Sequence, residues 1–234
     1  MGWGGPRPKS SGHRYLGQEN SRGKRLMSKI GPFMDARRLD RLLAEDTMLT
    51  EVIDGLWIGD ESTCILPGQT GASLAAAAVG ERWAGVIHAC KYPCHAAVLG
   101  YDFRGGKVDR EHPEYLVARR PVAGVGLAHL VLNLVDAPDP KFFRVEMFQE
   151  ALDFLVVYSQ RGPVLVHCNQ GLSRAPALVL AYMGRRLKRF DEDLGRVPVG
   201  YDSAKRQFTR DFYPPFLPGP GIDDFLRANW MEIA

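Results

Sequence analysis

The chain has 234 residues, 45% of them hydrophobic, which suits one domain with a buried core and an appended tail. The net charge of +3 is unevenly spread: residues 1–30 carry seven cations and one acid, so the rest of the chain is slightly acidic. That distribution argues against a basic nucleic-acid-binding domain. No apolar stretch approaches the roughly 18 residues of a membrane span, and the positive N-terminus lacks the apolar core of a secretory signal.

In chain order, residues 1–31 are rich in Gly, Ser, Arg and Lys with no apolar periodicity, and are read as a disordered basic tail. Residues 32–48 follow, where Leu39, Leu42 and Leu43 fall at helical spacing and predict a short amphipathic helix. The body, 49–234, opens with EVIDGLWI (51–58), which alternates and turns at Gly55 like a hairpin or edge strand. Residues 72–80 read as a helix of small residues. Residues 85–89 and 129–135 (HLVLNLV) read as buried strands. A long connection, 98–125, carries Asp102, Arg104, Lys107, Arg110, His112, Arg119 and Arg120, and is expected at a cleft entrance. A helix over 142–160 stops at Gly162–Pro163; a third buried strand, PVLVH (163–167), leads into an apolar helix, 177–187, with cations at its end. Two more helices are predicted over 201–212 and 222–230, with Phe208, Phe212, Tyr213, Phe216, Phe225 and Trp230 as packing residues. Strands alternating with helices predict an α/β fold: a central, mostly parallel sheet of about four to five strands flanked by helices.

One segment carries chemistry. His167-Cys168-Asn169-Gln170-Gly171-Leu172-Ser173-Arg174 lies between a buried strand and a helix. Such a loop points successive backbone N–H groups, backed by the helix N-terminus, at one place and so cradles a tetrahedral dianion. Gly171 lets the loop wrap. Arg174 offers a planar fork for two phosphate oxygens. Cys168, at the base of this field, is expected to be a thiolate. Asn169, Gln170, Gly171, Leu172 and Ser173 complete the cradle, and His167 supports it.

Phosphate-ester cleavage also needs a proton donor for the leaving oxygen. Asp136 follows the strand HLVLNLV, and neighbouring parallel strands open onto one crevice at their carboxyl ends. Asp139, in the same proline-flanked loop, is the rival, and otherwise a turn residue.

These residues resemble the dual-specificity branch of the protein tyrosine phosphatase superfamily over roughly 49–230. The HC-x5-R pattern matches at His167, Cys168, Gly171, Ser173 and Arg174, and the 32-residue step from Asp136 to Cys168 is similar to that of compact dual-specificity enzymes. VIDGLWIG looks like the family's first strand. CNQGLSRAP, HACKYPCH and FYPPFLPGPGIDDFLRANW look like a bacterial and phage subset. The resemblance implies a phosphatase-like fold and a two-step reaction. Cys168 attacks phosphorus while Asp136 protonates the leaving group. Asp136 then activates water against the phosphocysteine, and Arg174 and the loop amides hold the oxygens. It implies no metal and no cofactor. The substrate would be a phosphorylated protein or peptide, on phosphotyrosine and also phosphoserine or phosphothreonine; the enzyme would be a cytoplasmic monomer without nucleic acid or membrane. Two alternatives stay open: a phosphatase of non-protein phosphate esters, and a phospho-residue-binding module without catalysis. The family usually places Ser or Thr after the arginine; Ala175 stands there instead.

HACKYPCH also invites a metal site from His88, Cys90, Cys94 and His95, or a resolving thiol at Cys90 or Cys94 for an oxidised Cys168. The plainer reading is a loop that shapes the cleft wall.

Overall fold

Apolar runs of four residues, GVIH and VLVH, are too short for helices and are buried at every position. They form the centre of a six-stranded sheet in a computed structural model that describes residues 49–66, 83–101, 110–121, 127–190 and 199–233. The strands are β1 (Leu49–Ile53), β2 (Leu56–Gly59), β3 (Gly85–His88), β4 (Val117–Pro121), β5 (Ala128–Leu132) and β6 (Val164–His167). Their order is β1-β2-β6-β3-β5-β4. The pairs β2/β6, β6/β3 and β3/β5 are parallel, as strands covered on both faces tend to be, while β1 and β4 close the edges antiparallel. The β1–β2 hairpin turns at Gly55 with φ +72°, a conformation that favours glycine.

The described helices are α1 (Ala96–Leu99), α2 (Val145–Tyr158), α3 (Arg174–Ala181), α4 (Tyr201–Gln207) and α5 (Pro220–Asn229); α3 and α4 each run on into a wider turn. All eight residues of α3 are buried, so this helix sits inside the molecule. α2 lays Met147, Phe148, Ala151, Leu152 and Leu155 on the core. Phe208, Tyr213, Phe216, Phe225 and Trp230 join the same core, as the sequence led us to expect, and Phe212 packs against it.

Six strands replace the expected four to five. The extra one is β4, inside the stretch read as a long connection. Its sequence, VARRP, hides the strand because Arg119 and Arg120 are polar. They occupy an edge, where Arg119 pairs with Glu150 and Arg120 with Glu114, and charged residues and proline suit an edge strand. The 142–160 helix begins later, at Val145, because Asp139 caps a short 3₁₀ turn, Pro140–Phe142, ahead of it. β5 ends at Leu132 rather than Val135, so Asp136 lies on a loop beyond the strand instead of directly after it. The basic tail, the helix over 32–48 and the helix over 72–80 lie outside the described residues. Among the described residues no helix is long and apolar enough to cross a membrane.

Candidate active site

Parallel register aligns the carboxyl ends of three strands. Gly59 of β2 and His88 of β3 both sit opposite His167 of β6. The chain leaves β6 at that point and wraps from Cys168 to Ser173 before entering α3. Gly171 carries the wrap with φ +67°; a Cβ there would also stand 3.3 Å from the Gly59 carbonyl oxygen. The loop is tied on every side. Cys168 N donates to Gly59 O at 3.3 Å, and Glu61 N to Asn169 O at 3.3 Å. Leu217 N donates to Leu172 O at 2.8 Å, Gly219 N to Ser173 Oγ at 3.0 Å, and Tyr213 Oη to Gly171 O at 2.9 Å.

Arg174 is buried, with 6% of its surface exposed, yet it is a cation. Its Nη2 donates to Asn169 Oδ1 at 2.8 Å and its Nη1 to Leu134 O at 3.2 Å. Its Nε is fully enclosed and has no partner among the described residues. A buried charge with a spare donor is suited to an anion. Asn169 in turn donates to Tyr92 O at 2.9 Å, and Leu134 O also accepts from Lys91 N at 2.8 Å. The HACKYPCH segment thus forms a wall of the site.

Cys168 is buried (1% exposed) at the base of the loop, and Ala175 is fully buried in the first turn of α3. Gln170 is exposed and Leu172 half-buried. Asp136 is exposed; a Cβ on Gly219 would stand 3.1 Å from its Oδ1 and 3.8 Å from Ser173 Oγ, so both side chains lie close to one glycine. Asp139 is already used. Its Oδ1 accepts from Lys141 N at 2.9 Å, and Oδ2 pairs with Lys141 Nζ at 2.6 Å. The hydrogen bonds from Lys141 hold its carboxyl below the usual range. Gly221 lets the start of α5 close on the acid loop, since a Cβ there would come within 2.3 Å of Ala137 O.

His167 belongs to a second buried group. Its Nε2 lies 2.7 Å from His88 Nδ1 and 3.9 Å from Cys94 Sγ. Cys64 Sγ is 3.6 Å from both His88 Nδ1 and Cys94 Sγ. Burial pushes the His88 imidazole down to about 3, against the hydrogen bond with Cys64. The Cys64 thiol is pushed down chiefly by the hydrogen bond with Cys94, and the hydrogen bond with Cys64 is the largest cause that pushes Cys94 up. Burial works to lower His167, but the hydrogen bond with Cys64 and the cysteine charges raise it. Of the four HACKYPCH residues that invite a metal reading, two belong to this group. His88 and Cys94 do meet, whereas His95 turns to Tyr101 Oη at 2.8 Å and Glu114 O at 3.0 Å. Cys90 is buried but outside the group, and Cys64 and His167 take the two places.

Sequence reasoning found the loop and its arginine. It missed Tyr213, Gly219 and the Leu134 carbonyl, which hold the loop from elements far along the chain. Tyr213 had a signal in FYPPFLPGPG, a proline-rich turn, but it read as plain packing.

No family model matches the chain. Among curated proteins, human dual specificity protein phosphatase 5 is 39% identical over 61 residues, 26% of this chain and 14% of that protein's length. Among solved structures, the Yvh1 phosphatase domain from Chaetomium thermophilum is 19% identical, covering 80% of this chain and 95% of its own, with a TM-score of 0.48. The human tyrosine phosphatase-like serine/threonine/tyrosine-interacting protein is 19% identical over 80% of this chain and 98% of its own, at 0.49. PTPMT1 in complex with PI(5)P is 15% identical over 80% and 96%, also at 0.49. Over its matched 61 residues the chain is similar to a dual-specificity phosphatase, and it sets an HC-x5-R loop between a parallel strand and a buried helix.

Proposed function

We propose that the chain is a cysteine-dependent phosphatase of the protein tyrosine phosphatase superfamily, acting on phosphotyrosine, and on phosphoserine or phosphothreonine, in protein or peptide substrates as a cytoplasmic monomer. The observation that carries the reading is the buried Arg174. Its two terminal nitrogens are held by Asn169 and Leu134, and its Nε is left over in a loop that begins with Cys168.

In this reading the Cys168 sulfur attacks phosphorus, and the P–O bond to the leaving group breaks. Asp136 gives its proton to the departing oxygen. Asp136, now a carboxylate, then takes a proton from water as that water attacks the phosphocysteine, releasing phosphate and the thiolate. Arg174 and the N–H groups of the loop hold the three equatorial oxygens through both steps. The choice of a protein substrate rests on the neutral loop: Asn169, Gln170, Leu172 and Ser173 add no cation for a multiply phosphorylated small molecule.

The test is hydrolysis of p-nitrophenyl phosphate by the full chain and by Cys168→Ser. The serine hydroxyl keeps the shape but does not ionise near neutral pH. Activity should fall to below about one percent, the scale of loss when a nucleophile is removed. Retention of more than that by a folded variant would sink the assignment.

A further inference from the structure

Behind the phosphate loop, on the inner side of the sheet's carboxyl edge, lies the group of two cysteines and two histidines described above. Each comes from a different element: Cys64 from the segment after β2, His88 from the end of β3, Cys94 from the turn before α1, and His167 from the end of β6. All four are buried, and their donor atoms lie within 4.8 Å of one another. We propose that Cys64, His88, Cys94 and His167 form a closed tetrahedral zinc site that anchors the strand carrying the nucleophile.

Geometry supports this first. Zinc takes sulfur at about 2.3 Å and imidazole nitrogen at about 2.0–2.1 Å, so tetrahedral ligands stand roughly 3.3–3.8 Å apart. The sulfur–sulfur distance is 3.6 Å, and two of the four sulfur–nitrogen distances are 3.6 and 3.9 Å. The two nitrogens, at 2.7 Å, must spread by roughly half an ångström, and the remaining pairs, within 4.8 Å, must close by up to about 1 Å on that same geometry.

Charge is the second support. Two thiols that release their protons to solvent supply two negative charges, and two neutral imidazoles supply none. Zn²⁺ then leaves a neutral centre, the form a fully buried polar group tolerates best. The third support lies outside the quartet. His88 Nε2 is 2.8 Å from His129 Nδ1, so with zinc on Nδ1 the protonated Nε2 would have His129 Nδ1 as its acceptor and the ring would be held in place. Ligand histidines are commonly held in this way through the second nitrogen.

The zinc takes no part in the phosphate chemistry. All four ligand positions are filled by protein, and His167 stands between the metal and Cys168. The ion would fix the loop's first residue from behind.

The experiment uses the full chain, purified with a reductant and without chelator, and measures bound metal by mass spectrometry. About one zinc per chain is expected. Reconstitution with Co²⁺ should give the visible bands of a tetrahedral site and a thiolate-to-cobalt charge-transfer band. Cys64→Ser and Cys94→Ser should lose both signals; Cys90→Ser, a neighbouring buried cysteine outside the quartet, should keep them. Should the ligand variants fail to fold, the cobalt spectrum of the unmodified chain decides alone. Absence of metal and of cobalt bands in the reduced chain would overturn the proposal, as would loss of zinc by Cys90→Ser to the same extent. A Cys64–Cys94 disulfide in metal-free protein would also overturn it.

Discussion

The Tyr213 hydroxyl donates to the carbonyl oxygen of Gly171 at 2.9 Å, from a ring with no exposed surface. The donor comes from the proline-rich link near the C-terminus and the acceptor from the one left-handed residue of the phosphate loop. Burial pushes the phenol well above its ordinary range, so it stays protonated and remains a donor. Tyr213→Phe should leave the Gly171 carbonyl without this partner. The cost of a buried unsatisfied group is about 1–3 kcal/mol, or roughly 2–4 °C in Tm per kcal/mol in a chain of this size. Because the freed carbonyl belongs to the loop, KM for p-nitrophenyl phosphate should rise along with the fall in Tm. Thermal unfolding and steady-state kinetics on the same preparation check both; a variant with unchanged Tm and KM would show the contact to be idle.

The two loop aspartates should separate cleanly. Asp136 is exposed and adjacent to Gly219 and Ser173, whereas the Asp139 carboxylate already caps the turn through Lys141. Asp136→Ala should lower kcat by a factor on the order of 10²–10⁴, the usual worth of a general acid, and the loss should shrink with leaving groups that need little protonation. Asp139→Ala should cost far less. Gly221→Ala should resemble a weaker Asp136 lesion, since the added methyl must push the Ala137 carbonyl and with it the acid loop. A greater kcat loss in Asp139→Ala than in Asp136→Ala would reverse the assignment.

What was legible in the sequence was local. The loop from His167 to Arg174 announces itself because its chemistry needs a short run of specific residues between a strand and a helix. The hairpin at Gly55, the helices α2 to α5 and the aromatic core were readable from periodicity and turn residues. The edge strand β4 was not, because a strand at an edge is free to carry Arg119 and Arg120 in place of an apolar pattern. The buried quartet could not be assembled either. His88 and Cys94 lie six residues apart, but Cys64 and His167 arrive through sheet register and a distant turn; nothing around Cys64 marks it, and the motif around His167 points to the loop rather than to a metal.

Asp223 gives a stability test that is independent of the reaction. It accepts from Tyr201 Oη, from Lys205 Nζ at 2.6 Å and from Arg227 Nη2 at 3.1 Å. Burial alone would raise its pKa, but the hydrogen bonds from Lys205 and Tyr201 outweigh burial and hold it low. A carboxyl depressed in the folded state stabilises fully above its unfolded value of about 3.9, and that contribution disappears as pH falls through the folded value. Asp223→Asn should therefore destabilise by about 1.5–3 kcal/mol at pH 7, the range for hydrogen bonds to charged groups. The gap to the unmodified chain should narrow below about pH 4. Urea midpoints at pH 7 and pH 3 measure it, and a gap of equal size at both would contradict the sign.

The last prediction concerns Ala175, fully buried in the first turn of α3, one residue after the arginine. In the first step of the proposed reaction the sulfur attacks; in the second it must leave carrying negative charge. A hydroxyl donor at this position would stabilise the departing sulfur, and hydrogen bonds to charged groups contribute roughly 1.5–3 kcal/mol. Its absence should slow breakdown of the phosphocysteine by about tenfold to a hundredfold, at about 1.4 kcal/mol per decade. With an aryl phosphate whose leaving group departs easily, the chain should release a rapid burst of phenol followed by a slower steady state. Ala175→Ser should shrink the burst and raise steady-state kcat, leaving the first-step rate much less affected. Ser173, on the loop itself, is the first hydroxyl that could already serve. Its Oγ accepts from Gly219 N at 3.0 Å, which orients the oxygen and leaves its proton to be donated. Ser173→Ala separates the two cases. If Ala175 leaves the sulfur without a donor, removing the Ser173 hydroxyl should not deepen the burst. If instead the unmodified chain shows no burst and Ser173→Ala creates one, the role has moved two residues along the loop and the Ala175 argument fails.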